Sequence, residues 1–391
     1  MKTYKQLQDI LNNNIKENRE ELAALNDYMA IHPEPSGAEY ETSKKLVEFL
    51  RSKGYHVEDA FCGFDCAFHA VYGDDNHGHK VGIFCEFDAL PEIGHACGHC
   101  LSGSISLLAA LSLAELQDEL DCDIHVFGSP LEEISGSKMA FADAGCFDGF
   151  EMATMVHLYN KNIIAPRLIA LDSYMYNFHG KIAHAAVNPW DGVNALNALQ
   201  LMFHGMDMLR QHVNPEVRMH AVIKNGGTAA NIVPDQASAE VYVRAPKWAD
   251  VVEVVKKVDG CAQGGCCATG ATWDKERTAE PYYEVKPNET GHKVLEDIYE
   301  ELGLATVDDN SEVFGSTDAG NVSYVCPTFH PCLQVVDEDV LIHTREFAEA
   351  MTTERAHQVL ETGAKIIGYQ IARSLSDRDI LEGMREDFKN S

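Results

Sequence analysis

No stretch of this 391-residue chain approaches the roughly 20 consecutive apolar residues of a membrane-spanning helix. Basic residues are scarce: 31 Lys and Arg stand against 61 Asp and Glu, a formal net charge of −30. That balance argues against nucleic acid and anionic membranes as partners. The acids are spread along the chain and read as a solvated surface. There is no low-complexity segment and no internal repeat. A disulfide framework is missing as well, because twelve cysteines in so long a chain do not make a disulfide scaffold. Cys85, Cys122 and Cys326 lie inside apolar runs, where small buried thiols belong. Met1 to Met29 is charged and helical in pattern, unlike a signal peptide. A reduced, cytoplasmic protein of enzyme size is expected.

What is present is enough apolar residue, 45%, for a substantial core, and enough length for two or three domains or one large domain with an insertion. Helical spacing covers Tyr4–Met29 and Glu39–Lys53, broken by His32-Pro33-Glu34-Pro35. Strands are expected at Ala67–Tyr72, Val81–Phe87, Ile124–Gly128 and Ala153–Leu158, with an apolar helix over Leu101–Leu116. This alternation predicts an α/β layer with a mostly parallel central sheet. From about Leu171 the texture changes. Strands at Tyr174–Gly180, Arg218–Lys224, Ala237–Arg244 and Ala271–Glu276 enclose helices at Asp191–Val213 and Ala249–Cys261. That β-α-β-β-α-β order is the one of a ferredoxin-like α+β sandwich. In the first of these helices Leu196, Leu199, Phe203, Met206 and Leu209 share a face. The α/β pattern resumes with a helix from His292 to Leu302 and a closing helix over Glu346–Leu375. The expected organisation is a discontinuous larger domain, 1–172 and 286–391, interrupted by a small domain, 173–285.

One segment concentrates chemistry. Gly94-His95-Ala96-Cys97-Gly98-His99-Cys100 packs two cysteines and two histidines into seven residues. It follows a strand that ends at an acid and a proline turn, and it opens a helix. Thiolate and imidazole are preferred zinc ligands. Glu133, His157 and His343 join Cys97 and His99 as candidate ligands, each at a strand end or in a loop, where such sheets place their sites. In Glu132-Glu133 the adjacent side chains point different ways, so one can bind metal while the other handles a proton. His125, His204, His212 and His220 have no such context and read as structural.

In family order, these residues resemble the M20 metallopeptidases, which include aminoacylases and amidohydrolases. Phe87-Asp88-Ala89-Leu90-Pro91 with the Cys/His cluster resembles the first metal motif, and Gly128-Ser129-Pro130-Leu131-Glu132-Glu133 the second. Gly180 to Ala186, Pro189-Trp190 and Gly192 to Leu196 look like the start of the lid domain. Asn225-Gly226-Gly227 with Asn231 to Asp235 looks like its substrate loop. Gly315 to Ser323 and His343-Thr344 complete the set. The branch holding aminobenzoyl-glutamate hydrolase and a dipeptidase that removes a C-terminal basic residue is the most similar. The resemblance implies two divalent ions bridged by Cys97. His99 and His157 would complete one, Glu133 and His343 the other, with His330 competing for the last position. It also implies that Asp88 orients a ligand and that Glu132 is the general base. His184 would stabilise the oxyanion, often from the partner subunit, and Asn231 and Arg244 would bind the substrate carboxylate. Zinc is the expected ion, with manganese, cobalt or nickel fitting the same donors. A homodimer through the lid is expected.

One departure stands out. The family commonly carries Asp or Asn where this chain has Cys100, which creates Cys97-Gly98-His99-Cys100. A CxxC can be a redox pair, so a thiol-disulfide protein is the first alternative. A metal-binding, non-catalytic scaffold is the second. The expected function is metal-dependent hydrolysis of an amide or peptide bond in a small carboxylate-bearing substrate: an N-acyl amino acid, a dipeptide or an aminobenzoyl-glutamate.

Overall fold

The segments that carry the chemistry start from strands buried on both faces. In His79–Glu86 every residue from Val81 onward is buried, and so is every residue of Cys122–Ser129. Such uninterrupted burial suits the interior of a parallel sheet covered on both sides. A computed structural model describes residues 2–307 and 313–391 of the chain. The strands form a six-stranded sheet in the order Tyr55–Asp59, Phe68–Tyr72, Cys122–Ser129, His79–Glu86, Met152–Thr154, Thr328–Phe329. The last four pair in parallel and the first two add antiparallel. The helix His99–Ala114 is buried along its whole length. It packs against the Tyr4–Ile31 and Glu354–Ser376 helices. Gly103 lets it approach the sheet, since a Cβ there would collide with the carbonyl oxygen of Glu86. No helix among the described residues is long and apolar enough to cross a membrane.

The backbone divides into two compact units. One holds Met1–Arg167, Val285–Phe314 and Asp318–Ser391; the other holds Leu168–Glu284 and Gly315–Thr317. The second has the expected β-α-β-β-α-β order. Its antiparallel sheet runs Thr272–Arg277, Ala170–His179, Gln236–Ala245, Arg218–Asn225. Along Gln236–Ala245 burial alternates. Ala237, Ala239, Val241, Val243 and Ala245 turn to the core shared with the Ala195–Leu209 and Trp248–Thr269 helices. Arg218–Asn225 is an edge strand exposed over most of its length. The protein is thus α/β with an inserted ferredoxin-like α+β unit.

Several expectations about individual elements change. The single strand expected at Ala153–Leu158 is two. Met152–Thr154 stays in the main sheet, while His157–Tyr159 peels away to pair in parallel with Cys332–Gln334. The closing helix breaks into Arg345–Ala350 and Glu354–Ser376, because Thr353 caps the second by accepting from the N–H of Ala356. Helices at Trp248–Thr269 and Arg378–Asn390 extend beyond, or fall outside, the expected pattern. The buried face of Ala195–Leu209 is Ala195, Ala198, Leu199, Met202 and Met206, with Leu196, Phe203 and Leu209 at its margin.

Candidate metal centre

The helix His99–Ala114 begins directly at the cluster. Its N-cap is Gly98 at φ 82°, a left-handed turn that glycine enters without strain. A side chain at Gly98 would also press on Leu158, 2.9 Å from its Cβ. The tight turn puts Cys97 and His99 at the carboxyl end of the His79–Glu86 strand.

Asp88, 1% exposed, positions two candidate ligands at once. Its Oδ1 accepts from His99 Nδ1 at 2.8 Å and its Oδ2 accepts from the Glu133 backbone N–H at 3.0 Å. With the proton on Nδ1, His99 Nε2 carries the lone pair, and this buried nitrogen has no hydrogen-bond partner. Against burial, Asp88 raises the proton affinity of this imidazole well above the usual range, the same basicity that strengthens a metal ligand. His157 is oriented in the same way: Nδ1 donates to the Leu158 carbonyl at 2.9 Å, and Nε2 lies 3.5 Å from Cys97 Sγ. Burial pushes the Cys97 thiol far above its ordinary range, so a thiolate there needs a cation beside it.

The Glu132-Glu133 turn is gripped by two buried carboxylates. Leu131 sits at φ 71° and its N–H donates to Glu39 Oε1 at 3.0 Å, while Asp88 holds the Glu133 N–H. His343 also takes a left-handed backbone, φ 62°, and its N–H donates to the Ala96 carbonyl at 2.8 Å. Left-handed non-glycine residues recur at functional sites. The turn brings His343 Nε2 to 4.0 Å from Glu133 Oε2.

The sequence-derived ligands therefore converge. Donor atoms of Cys97, His99 and His157 lie within 4.8 Å of one another, and so do those of Cys97, Glu133 and His343. Cys97 belongs to both triplets. His99 also clusters with Glu132 and Glu133. Of the two competing histidines, His343 is the one grouped with Cys97 and Glu133. His330 is buried and stacks on His157, ring centroids 5.2 Å apart. The donors fit divalent metal on the structure's own terms: His99 Nε2 and Glu133 Oε1 are buried without hydrogen-bond partners, and both histidines present a lone pair. Glu132 stands next to these donors; burial, then Glu86, with Glu133 and Asp318 behind it, raises its carboxyl well above the usual range.

Sequence reasoning passed over a second cluster against the first. Lys138, Glu86 and Asp318 are all fully buried. Lys138 Nζ donates to Glu86 Oε1 and to Asp318 Oδ1, each at 2.6 Å. Against the penalty of burial, Lys138 and then His99 keep Glu86 ionised well below the carboxylate range. A strand-end acid two residues before Asp88, and a lysine five residues after Glu133, carry no local pattern that singles them out.

His184, Asn231 and Arg244 belong to the second unit. The Ala186 N–H donates to His184 Nδ1 at 3.2 Å, and the Ala185 N–H donates to the Asn231 carbonyl at 2.9 Å, so the two loops are neighbours. Both residues are exposed. Arg244 donates to Ser316 Oγ at 3.2 Å and has no carboxylate partner among the described residues. Cys100, in contrast, faces the hydrophobic core; it is fully buried, and burial pushes its thiol up to about 12. A redox CxxC needs an accessible thiol of lowered pKa, so the thiol-disulfide reading is not supported.

A thiolate–imidazole–carboxylate cluster at the strand ends of an α/β unit, with an inserted ferredoxin-like unit, is the architecture of a metallohydrolase. Residues 170–264 match the peptidase dimerisation domain. The Xaa-Arg dipeptidase of Mus musculus is 32% identical over 391 residues, covering 96% of this chain and 90% of the relative. One of the p-aminobenzoyl-glutamate hydrolase polypeptides of Escherichia coli (strain K12) is 24% identical, covering 96% of this chain and 93% of the relative. Among solved structures, a dinuclear metal-binding peptidase of the M20 family from Bacillus subtilis superposes with TM-score 0.70 at 20% identity, covering 92% of this chain and 99% of that one. The chain belongs to the M20 family of peptidases and amidohydrolases.

Proposed function

We propose that the protein is a metal-dependent hydrolase of amide or peptide bonds in small carboxylate-bearing substrates. Dipeptides ending in a basic residue, N-acyl amino acids and aminobenzoyl-glutamate are the compounds to screen. The observation that carries this reading is Cys97, whose sulfur is common to two ligand triplets. His99 and His157 would complete one ion and Glu133 and His343 the other, with zinc favoured by the thiolate. When bound, the ions supply Lewis acidity towards the scissile carbonyl and lower the pKa of water.

The remaining chemistry falls to side chains. Glu132 adjoins both ligand sets but is not needed to complete either, so it can take a proton from the attacking water and deliver it to the leaving nitrogen. His184 accepts the Ala186 N–H on Nδ1, which leaves Nε2–H as a fixed donor for a developing oxyanion. Arg244, without a carboxylate of its own, and Asn231 are suited to the substrate's carboxylate. We further infer a homodimer through the dimerisation-type unit, with the exposed His184 loop acting in the partner's site. A reducing, cytoplasmic setting suits a bridging thiolate among twelve cysteines.

The test is metal analysis of the purified chain together with a hydrolysis screen over those substrate classes, with and without chelator. Chelator-sensitive hydrolysis of at least one class is expected. Chelator-resistant activity, or no hydrolysis by fully loaded protein, would overturn the reading.

A further inference from the structure

The buried cluster beside the metal centre has a feature that packing alone does not require. Carboxylate oxygens of Glu86, Glu132 and Asp318 lie within 4.8 Å of one another. Carboxyl groups at that spacing persist only where a cation stands among them or one of them holds a proton. Here the cation is part of the chain: Lys138 Nζ is 2.6 Å from both Glu86 Oε1 and Asp318 Oδ1. We propose that Lys138 is a positioning residue of the hydrolytic site, the permanent cation of a Glu86–Asp318–Glu132 cage, and that it sets Glu132 beside the metal ligands. The proposal rests on the hydrolase reading given above.

The lysine is fixed at both root and tip. Its own backbone N–H and that of Ser137 each donate to Asp318 Oδ2 at 2.9 Å. Asp318 thus accepts three bonds from two consecutive residues. The Phe84 ring closes an apolar side, its centroid 5.6 Å from the ammonium. None of Lys138, Glu86 and Asp318 has side-chain exposure, so water cannot take over the ammonium's part.

The cage shares two walls with the metal cluster. Glu86 Oε2 has no hydrogen-bond partner and lies 3.3 Å from His99 Nε2, the nitrogen offered to metal. Glu132 belongs both to the cage and to the cluster with His99 and Glu133. Removing the ammonium would leave the Glu86, Asp318 and Glu132 carboxyls crowded without a cation. Glu86 and Asp318 are fully buried and the Glu132 side chain is 13% exposed, so the displacement is expected at Glu132. A divalent ion in the same place would dissociate or exchange; a lysine cannot.

Two variants test this, beside native protein in the same assays. Lys138→Met keeps the bulk and loses the charge, so kcat should fall by roughly 10²-fold, the scale for losing one preorganised electrostatic partner, with KM little changed. Lys138→Ala opens the cage. It should bind one more Mn²⁺ per subunit than native protein, counted by mass spectrometry after gel filtration, and methylammonium should restore part of its kcat. An unchanged kcat in Lys138→Met overturns the proposal. So does Lys138→Ala with the native ion count and no response to methylammonium. If Lys138→Ala folds only when Mn²⁺ or methylammonium is present, the cage is supported; if neither restores folding, the kcat of Lys138→Met decides. The ion count needs no substrate, so native protein that hydrolyses nothing would remove the hydrolase reading without touching the cage measurement.

Discussion

Asp88→Asn isolates the support that Asp88 would give to both halves of the proposed metal centre. The change conserves volume, so it opens no cavity at a site 1% exposed. The native carboxylate accepts on both oxygens, from His99 Nδ1–H and from the Glu133 N–H. An amide has one acceptor. Whichever way the Asn side chain turns, its NH₂ meets a donor: the imidazole in one orientation, the Glu133 backbone in the other. One charge-assisted hydrogen bond is lost and the other is weakened, at about 1.5–3 kcal/mol for a bond to a charged group. With a tenfold change in affinity for every 1.4 kcal/mol, metal binding should weaken about 10- to 100-fold, the usual scale for partners behind a ligand. Competition against a chromophoric chelator reads this directly. Asp88 is not placed against the reacting atoms, so saturating zinc should return most of kcat. Native metal affinity in Asp88→Asn would refute the clamp. Full metal occupancy with kcat still low would refute a purely supporting role.

Other expectations follow from the same geometry. Glu132→Gln should keep its metal and lose about 10²-fold or more in kcat, whereas Glu133→Gln should lose one ion by elemental analysis; a near-native rate in Glu132→Gln sinks the base assignment. Arg244→Met should raise KM for substrates with a free carboxylate but not for their carboxamides, and equal effects on both would remove Arg244 from substrate binding. Burial holds His69 and His125 near 4, below the ordinary 6.5. The fold keeps them neutral while the unfolded chain protonates, so stability should fall from pH 6.5 towards 4 by up to about 1.4 kcal/mol per pH unit for each. In metal-free protein, His125→Asn should flatten that slope of melting temperature against pH, and an unchanged slope contradicts the account. Cys62 and Cys146 stand with their sulfurs 3.6 Å apart, Cys62 exposed, so diamide should link this pair and spare Cys100; a Cys97–Cys100 disulfide in the peptide map would revive the redox reading.

The fold was legible where one period dominated. Val81 to Phe87 and Ile124 to Gly128 are short apolar runs bounded by acids or glycine, and both are central strands. The ferredoxin-like unit showed itself through alternation, as in Ala237 to Ala245. What was missed has local causes. Tyr55–Asp59 is an edge strand with only Tyr55 buried, so it shows little hydrophobic alternation. The break before Glu354 depends on a Thr cap inside a helical pattern. Ala153 to Leu158 reads as one strand because its apolar run continues through Met155-Val156. Only pairing with Cys332–Gln334 divides it, and that division carries His157 away from the main sheet.

The candidate site was legible as a set of ligands but not as an electrostatic whole. Cys97, His99, Glu133, His157 and His343 are residue types that announce metal, at strand ends that announce a site. Glu86 and Lys138 announce nothing: an acid ending a strand and a lysine after a loop are ordinarily solvated. Their meaning arises only when the sheet brings position 86 beside position 138, and when the backbone of 137 and 138 wraps onto Asp318. A buried ion pair costs more in desolvation than it commonly returns as stability. The cost is borne here against the wall of the metal cluster, 3.3 Å from His99 Nε2, where fixed charge has a use that a hydrophobic replacement of equal volume could not supply.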